Sequence, residues 1–351
     1  MRRPGPSPLR LRAHRPHIAA DDPVRWGFLG AGDVATTALA SAVHAAPGAR
    51  LFAAAARDPA RAAALGPDVV HPDYAAVLAD PAVEAVYLSL PNDAHRPWAV
   101  AALGAGKHVL CEKPLGLTAA DVAAMVAAAE RAGRLLVEAA WYRWHPRIVR
   151  VQELLAAGRL GHVTAATAGF RYAGVPAGDY RLDPRHGGGA LLDVGCHAGS
   201  ALLLALGWPE RLTVTATQRL GPTGVDVRTD AQLQLPGATA ALTVGMDAGA
   251  DGGREWLTVT GTDGALEVGE AAYTAGRGDR TTLQVTDRSG TTTEVFDPAD
   301  PYALMVSDVS SVLRGGPGRV VPAAESLATA ALLDGVRRAA ASGGSGEAVL
   351  R

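Results

Sequence analysis

Arg25-Trp26-Gly27-Phe28-Leu29-Gly30-Ala31-Gly32-Asp33-Val34-Ala35 is the stretch that decides the fold. Arg25–Leu29 reads as a strand and Asp33–Ala46 as a helix, so the G-x-G-x-x-A run Gly30–Ala35 falls at the turn between them. Gly30 permits the tight turn, Gly32 lets the backbone approach a pyrophosphate, and Ala35 lets the helix pack closely on the strand. The helix N-terminus adds N–H donors and a favourable dipole for an anion. Gly30, Ala31, Gly32, Asp33 and Val34 are therefore candidates for binding a dinucleotide.

The segments that follow keep the same rhythm. Leu51–Ala56, Asp68–His71, Ala85–Leu90, His108–Cys111 and Leu135–Glu138 read as strands. Pro59–Leu65, Tyr74–Leu78, Ala94–Leu103 and Thr118–Ala132 read as the helices between them, the last with Thr118 as N-cap and Gly133 as its stop. This is the pattern of an α/β fold, a doubly wound parallel sheet of the Rossmann type. After Trp141 the pattern changes. Pro146 opens a helix to about Ala157, and eight runs follow in which Thr, Val and Ala alternate with polar residues: Val163–Tyr172, Leu212–Arg219, Arg228–Gln234, Ala238–Met246, Trp256–Thr260, Ala265–Val268, Thr281–Thr286 and Thr292–Phe296. They predict an α+β domain with a large open, mainly antiparallel sheet, interrupted by one helix over Ala190–Leu206 and followed by helices near Tyr302–Leu313 and Ala323–Ala341.

The second strand normally ends on the residue that reads the adenine ribose, an acid for NAD. Here it ends Ala55-Ala56-Arg57-Asp58-Pro59, with a cation ahead of the acid. Arg57 suits a 2′-phosphate, with Arg61 one turn on as a second cation, which favours NADP over NAD. The alternative is a solvated Arg57 with Asp58 on the ribose.

The chain of 351 residues is 48% hydrophobic and 19% charged, with 33 basic and 35 acidic side chains and a net charge of −2. Such a balance lacks the clustered basic surplus that nucleic acid or an anionic membrane requires. No apolar run reaches the roughly 18 residues that a bilayer demands. Residues 1–22 carry Arg2, Arg3, Arg10, Arg12 and Arg15 with four prolines but no apolar signal core, and read as a disordered tail. The expected division is this tail, a nucleotide-binding domain over 23–142, and a substrate-binding and oligomerisation domain over 143–351. Cys111 and Cys196 are the only cysteines, too few for a disulfide framework or a four-cysteine metal site, which fits a reducing cytoplasm. Only two of the 33 basic residues are lysines, Lys107 and Lys113.

Lys113 stands in Cys111-Glu112-Lys113-Pro114 after the fifth strand, and Leu90-Pro91-Asn92-Asp93-Ala94-His95 follows the fourth. Both lie at carboxyl ends of strands, where an open α/β sheet binds its ligand. Much later, the run Gly187–His197, GGGALLDVGCH, puts Asp193 and His197 four apart, on one face of the expected helix. The four motifs, in this order and at these separations, resemble the Gfo/Idh/MocA oxidoreductases, and the resemblance covers Val24 to about Ala341. Glu138–Pro146 and Tyr180–Pro184 are most similar to the branch holding dimeric dihydrodiol dehydrogenase, NADP-dependent xylose dehydrogenases and sugar 3-ketoreductases. That branch usually has tyrosine where His197 stands.

The resemblance implies an NADP-dependent enzyme, with NAD as the lesser alternative, that moves hydride between the nicotinamide and a hydroxyl or carbonyl of a sugar, sugar nucleotide or cyclic polyol. It places Leu90, Pro91, Asn92, His95, Glu112, Lys113 and Arg143 along the cofactor, and Lys113, His145, Tyr180, Arg181, Asp193 and His197 around the substrate. In the mechanism it implies, His197 takes or gives the proton, because an imidazole titrating near about 6.5 works in both directions. Lys113 steadies the developing alkoxide and Asp193 orients substrate or balances the lysine. The expected assembly is a homodimer or homotetramer through the second-domain sheet.

Plainer readings stand beside these. Asn92 and His95 would serve equally to end a strand and cap a helix, Arg143 and His145 to pack the domain junction, and Tyr180, Arg181 and Asp183 to form a loop. Asp193 and His197 at i, i+4 suit a metal, but no third ligand stands at suitable spacing, so none is expected. A cofactor-binding regulator without turnover, or a lyase or glycosidase using transient oxidation, are the functional alternatives on the same fold.

Overall fold

The structure, a computed structural model, describes residues 22–249, 253–275 and 277–350. The tail expected over 1–22 therefore lies almost wholly outside the described residues.

The first half alternates as the hydrophobic pattern requires: β1 (Val24–Leu29), α1 (Ala40–Ala45), β2 (Ala49–Ala55), α2 (Pro59–Ala63), β3 (Val69–Val70), α3 (Tyr74–Ala79), β4 (Ala85–Leu88), α4 (Asn92–Gly104), β5 (His108–Cys111), α5 (Ala119–Ala132) and β6 (Leu136–Glu138). The strands are all parallel in the order β3-β2-β1-β4-β5-β6, whose reversal beside β1 opens a crevice at the carboxyl ends of β1 and β4. Strands buried on both faces need continuous apolar runs, and β4 (Ala85-Val86-Tyr87-Leu88) is fully buried along its length. Thr118 caps α5 by accepting from Asp121 N, and Gly133 ends it in the left-handed region at φ +59°.

One feature of this half departs from expectation. Ala35–Leu39, directly after the glycine turn, is π-helical, and only from Ala40 does the segment continue as an ordinary α-helix. A widened turn changes the carbonyl pairing, and here the Ala38 carbonyl accepts from Ser41 Oγ (2.8 Å) and from Arg277 Nη2 (2.9 Å) of the second half.

The second half comprises α6 (Pro146–Ala156), β7 (Val163–Arg171), α7 (Ala190–Asp193), α8 (Gly195–Ala205), β8 (Arg211–Leu220), β9 (Asp226–Leu235), β10 (Ala238–Gly245), β11 (Arg254–Gly261), β12 (Gly264–Val268), β13 (Thr281–Asp287), β14 (Gly290–Phe296), α9 (Pro301–Leu313), α10 (Ala323–Ser342) and β15 (Ser345–Val349). Its nine strands run β14-β13-β12-β11-β7-β10-β9-β8-β15, antiparallel except where β10 meets β7. Alternation sets the faces: Ala166, Ala168, Leu257 and Val259 are buried under helices, while Thr167, Trp256 and Thr258 point to the other side. There Trp256 lies across Gly169, where a Cβ would meet its ring at about 2 Å, so only glycine fits. The buried Arg147 of α6 ties the β12–β13 connection to the core by donating to the carbonyls of Glu270 (3.0 Å) and Ala271 (2.7 Å).

Two expectations are corrected in this half. The single helix over Ala190–Leu206 is broken at Val194, whose φ of −121° and ψ of −14° end α7, and the axis bends by 44° between 184–193 and Gly195–Ala205. Asp193 and His197 thus sit on either side of a break and not on one helical face. β15, unforeseen because Ser345-Gly346-Glu347 lacks β-branched residues, pairs with β8 once Gly343 has terminated α10.

The chain's last helices return to the first sheet. Buried Trp26 Nε1 donates to Ser310 Oγ (3.2 Å), Ala119 N to Asp334 Oδ2 (2.8 Å), and Arg314 grips Glu84 through both oxygens (2.9 Å each).

Candidate active site

A cleft of about 680 Å³ runs along the carboxyl ends of the parallel strands. Its floor is the glycine turn. Gly30, at φ +94°, approaches so closely that a Cβ would lie 2.2 Å from the Ser89 carbonyl oxygen, and a Cβ on Gly32 would lie 2.8 Å from Ser89 Oγ. The turn is thus packed on the end of β4, and its two glycines are demanded by Ser89 as well as by the room a pyrophosphate needs. Ala31, Asp33 and Val34 line the same floor.

At one end of the cleft stand Arg57, Arg61 and Tyr74. Arg57 is exposed and has no carboxylate partner among the described residues, so its guanidinium is available to an anion. Asp58 is held by another task, capping α2 by accepting from Ala60 N at 2.9 Å. Arg61, expected as a second cation for the phosphate, instead donates from Nη2 to the Ala31 carbonyl at 2.5 Å, bracing the glycine turn. Tyr74 is a wall residue that spacing did not reveal; it packs edge-on against Trp98.

The other end is built around Lys113. It follows β5, its bond to Pro114 is cis, and Glu112 behind it accepts from Tyr87 Oη (2.6 Å) and Lys113 N (3.3 Å). Lys113 Nζ donates to the main-chain oxygen of Asp193 (2.8 Å) and to its Oδ1 (3.2 Å). Asp193 Oδ1 also accepts from Arg181 Nε (3.2 Å), while Oδ2 accepts from Tyr172 Oη at 2.5 Å. Burial works against the Asp193 charge, but Lys113, Arg181 and the tyrosine bond outweigh it and hold the carboxyl down at about 2. Burial likewise opposes the lysine charge, yet the Asp193 carboxylate keeps Lys113 above its ordinary value. An ammonium has three N–H groups and two are directed at Asp193, leaving one for the cleft that Lys113 lines.

Over this end folds the segment from 173 to 189. Asp179, Tyr180 and Arg181 line the cleft, with the Arg181 guanidinium 4.7 Å from the Tyr180 ring centre. Asn92 Nδ2 donates to Gly187 O (3.0 Å) and His186 meets Asp93 (3.0 Å), pinning the segment to the start of α4. Leu90 and Pro91 complete this wall with Asn92 and Glu112.

Four residues expected at the site are placed elsewhere. His95 is fully buried, its ring set between the carbonyls of Pro114 (2.8 Å) and Leu90 (2.9 Å), so it braces the lysine turn instead of facing the cofactor. Arg143 is buried in an ion pair with Glu325 (2.9 Å), its guanidinium 5.8 Å from the Trp208 ring. His145 caps α6 by accepting from Arg147 N, and burial together with the Arg147 charge pushes its pKa down to about 4. His197, 4% exposed, packs among Tyr142, Phe170 and Tyr273, with Tyr273 stacked at 6.1 Å and 17°. Burial, then the Lys113 charge, push it down to about 3. It is a neutral imidazole at physiological pH, not one titrating near its ordinary value in both directions. Asp193 itself stands behind Lys113, balancing the lysine. Tyr172, missed like Tyr74 from the sequence, carried one faint signal: with Phe170 it forms an aromatic i, i+2 pair at the end of a strand.

Residues 24–139 match the family model for the oxidoreductase family with an NAD-binding Rossmann fold, and residues 148–267 match the GFO/IDH/MocA C-terminal domain. The chain is 36% identical over 329 residues to D-xylose 1-dehydrogenase (NADP(+)) 2 of Haloferax volcanii, covering 92% of this chain and 99% of that one. It is 33% identical over 302 residues to dTDP-3,4-didehydro-2,6-dideoxy-alpha-D-glucose 3-reductase of Streptomyces antibioticus, covering 85% and 90%. Among solved structures, the 3-ketoreductase KijD10 of Actinomadura kijaniata, in complex with NADP and TDP-benzene, superposes with a TM-score of 0.82 at 29% identity over 91% of this chain and 98% of its own. The two sheets, the ordered motifs and these matches agree: the chain belongs to the Gfo/Idh/MocA family of oxidoreductases.

Proposed function

We propose that the protein is an NADP-dependent oxidoreductase that interconverts a hydroxyl and a carbonyl of a sugar, sugar nucleotide or cyclic polyol. The observation that carries this is the position of Lys113, a partly buried, permanently charged ammonium at the inner end of a dinucleotide cleft with one N–H left over. The cleft fits the cofactor: the glycine turn leaves room for a pyrophosphate, and Arg57 offers a cation for a 2′-phosphate. When bound, NADP supplies or takes the hydride. Lys113 donates a hydrogen bond to the reacting oxygen and stabilises the negative charge that develops there. His197, packed outside the cleft and pushed by burial down to about 3, does not carry the proton. The reacting hydroxyl loses its proton to water in the cleft during oxidation and regains it from water during reduction, while Lys113 holds the oxygen. Tyr180 and Arg181 close over the substrate.

Fluorescence titration with NADPH and NADH, followed by a panel of aldoses, inositols, ketosugars and sugar nucleotides, tests this reading. Tight NADPH binding with substrate-dependent change at 340 nm is expected for nicotinamide chemistry. Binding with no redox change on any sugar or sugar nucleotide would remove it. For the cofactor choice, Arg57→Ala is expected to weaken NADPH by roughly tenfold and NADH far less, since one charge-assisted contact is lost. Equal weakening of both would sink the 2′-phosphate role.

The outward sheet face, polar with Thr167, Thr258, Gln232 and Gln284 around Trp256, is the surface through which we propose the chain forms a homodimer or homotetramer. Sedimentation velocity is expected to give twice or four times the monomer mass, and Trp256→Glu to shift it toward monomer.

A further inference from the structure

We propose that Tyr172 is the positioning residue that directs the remaining N–H of Lys113 into the cleft. Donors are shared unequally between the two oxygens of the Asp193 carboxylate. Asp193 Oδ1 takes two donors, Lys113 Nζ and Arg181 Nε, both at 3.2 Å, whereas Oδ2 takes one, the Tyr172 phenol at 2.5 Å. The carboxylate side chain is only 9% exposed, so water does not readily replace a lost partner. With the phenol in place, Oδ2 is satisfied and has no claim on the lysine. Without it, a buried carboxylate oxygen lacks a donor, and the ammonium already bonded to the same carboxylate has a third N–H that can supply one.

Removing the phenol also makes the carboxylate more basic, because a hydrogen bond to the charged form stabilises that form. Asp193 then holds the ammonium more strongly. Tyr172 thus acts on the reaction through Asp193 and Lys113, and does not itself line the cleft. Its position at the end of β7 comes from the second-half sheet, whereas Lys113 comes from the first, so this bond is one link by which the second half sets the first half's lysine.

The turnover arm of the test rests on the sugar-oxidoreductase reading; the other arm does not. Because the chain has only two lysines, acetylation by limiting acetic anhydride, followed by peptide mass spectrometry, reports Lys113 with Lys107 as internal reference. Lys107 Nζ is held by the carbonyls of Asp80 (2.6 Å) and Val83 (2.7 Å), remote from Tyr172 in the chain and in the fold. In Tyr172→Phe, Lys113 is expected to be acetylated several-fold more slowly with Lys107 unchanged, and kcat to fall roughly tenfold with KM for NADPH unaltered. A purely structural tyrosine gives the opposite sign, since a loosened site exposes the lysine and speeds its acetylation. Replacing Tyr172 with 4-aminophenylalanine keeps the ring and a weaker donor, and is expected to give intermediate values for both readouts. Should Tyr172→Phe not fold, the comparison of that analogue with tyrosine carries the test alone. Slower acetylation of Lys113 supports the proposal even if no sugar is turned over. Unchanged or faster acetylation of Lys113 in a folded variant overturns it, whether or not sugar is turned over.

Discussion

Lys113→Ala is expected to lower kcat/KM by roughly 10²–10³ while leaving NADPH affinity nearly unchanged, the loss usual when a donor to a developing oxyanion is removed. Affinity is expected to survive because the glycine turn and Arg57, the contacts proposed for the dinucleotide, line the cleft away from the lysine end. The substitution also removes one of two cations beside buried Asp193. Arg181 Nε remains at 3.2 Å and Tyr172 at 2.5 Å, so the carboxylate keeps these two donors and the chain is expected to fold. Urea unfolding separates the effects: a destabilised but folded variant with lost turnover fits the role assigned. Near-normal turnover with intact NADPH binding would remove Lys113 from the reaction.

The second large effect is acid sensitivity. His197 is held neutral down to about 3 and His145 to about 4, while in the unfolded chain each takes up its proton near about 6.5. Below about pH 6.5 the unfolded state therefore binds protons that the native state refuses, and stability falls as the pH falls. At pH 5 each histidine costs about 2 kcal/mol relative to pH 8. Glu112, Glu138 and the partly buried Asp226, each raised by desolvation, act in the opposite sense on acidification, so the wild-type curve alone is a composite. His197→Phe, an aromatic for an aromatic among Tyr142, Phe170 and Tyr273, isolates the term. Between pH 8 and pH 5 the wild type should lose about 2 kcal/mol more than the variant in urea unfolding. A constant gap across that range would mean that the imidazole titrates normally in the folded protein.

Much of this site was legible because its chemistry is carried by the backbone or by strand ends. Gly30 and Gly32 are glycines for reasons of close approach that a G-x-G-x-x-A run announces, and Lys113 is conspicuous in a chain with so few lysines. The alternating Thr-rich runs likewise gave the second sheet its faces. The helix break at Val194 was not legible, since Ala190–Leu206 holds no proline and its polar residues Asp193, His197 and Ser200 and its glycines Gly195 and Gly199 do not forbid a continuous helix. The surroundings of His197 were equally hidden: Phe170 and Tyr273 reach it from strands and loops far away in sequence, and burial rather than any neighbour in the chain sets its charge. Arg143 was misplaced for a related reason. Its partner Glu325 lies 182 residues on, in a helix whose return to the first sheet no local pattern announces.

That return has a consequence for how the protein is made. The ribosome completes all six parallel strands before α9 and α10 exist, yet Trp26 waits for Ser310, the start of α5 for Asp334, and Glu84 for Arg314. The nascent amino-terminal half emerges with its nucleotide crevice already encoded but one flank uncovered, and folding cannot finish until translation nearly has. A polypeptide stopped after residue 142 would present that flank to its neighbours, making premature termination a route to aggregation and not to a small, working nucleotide-binding protein.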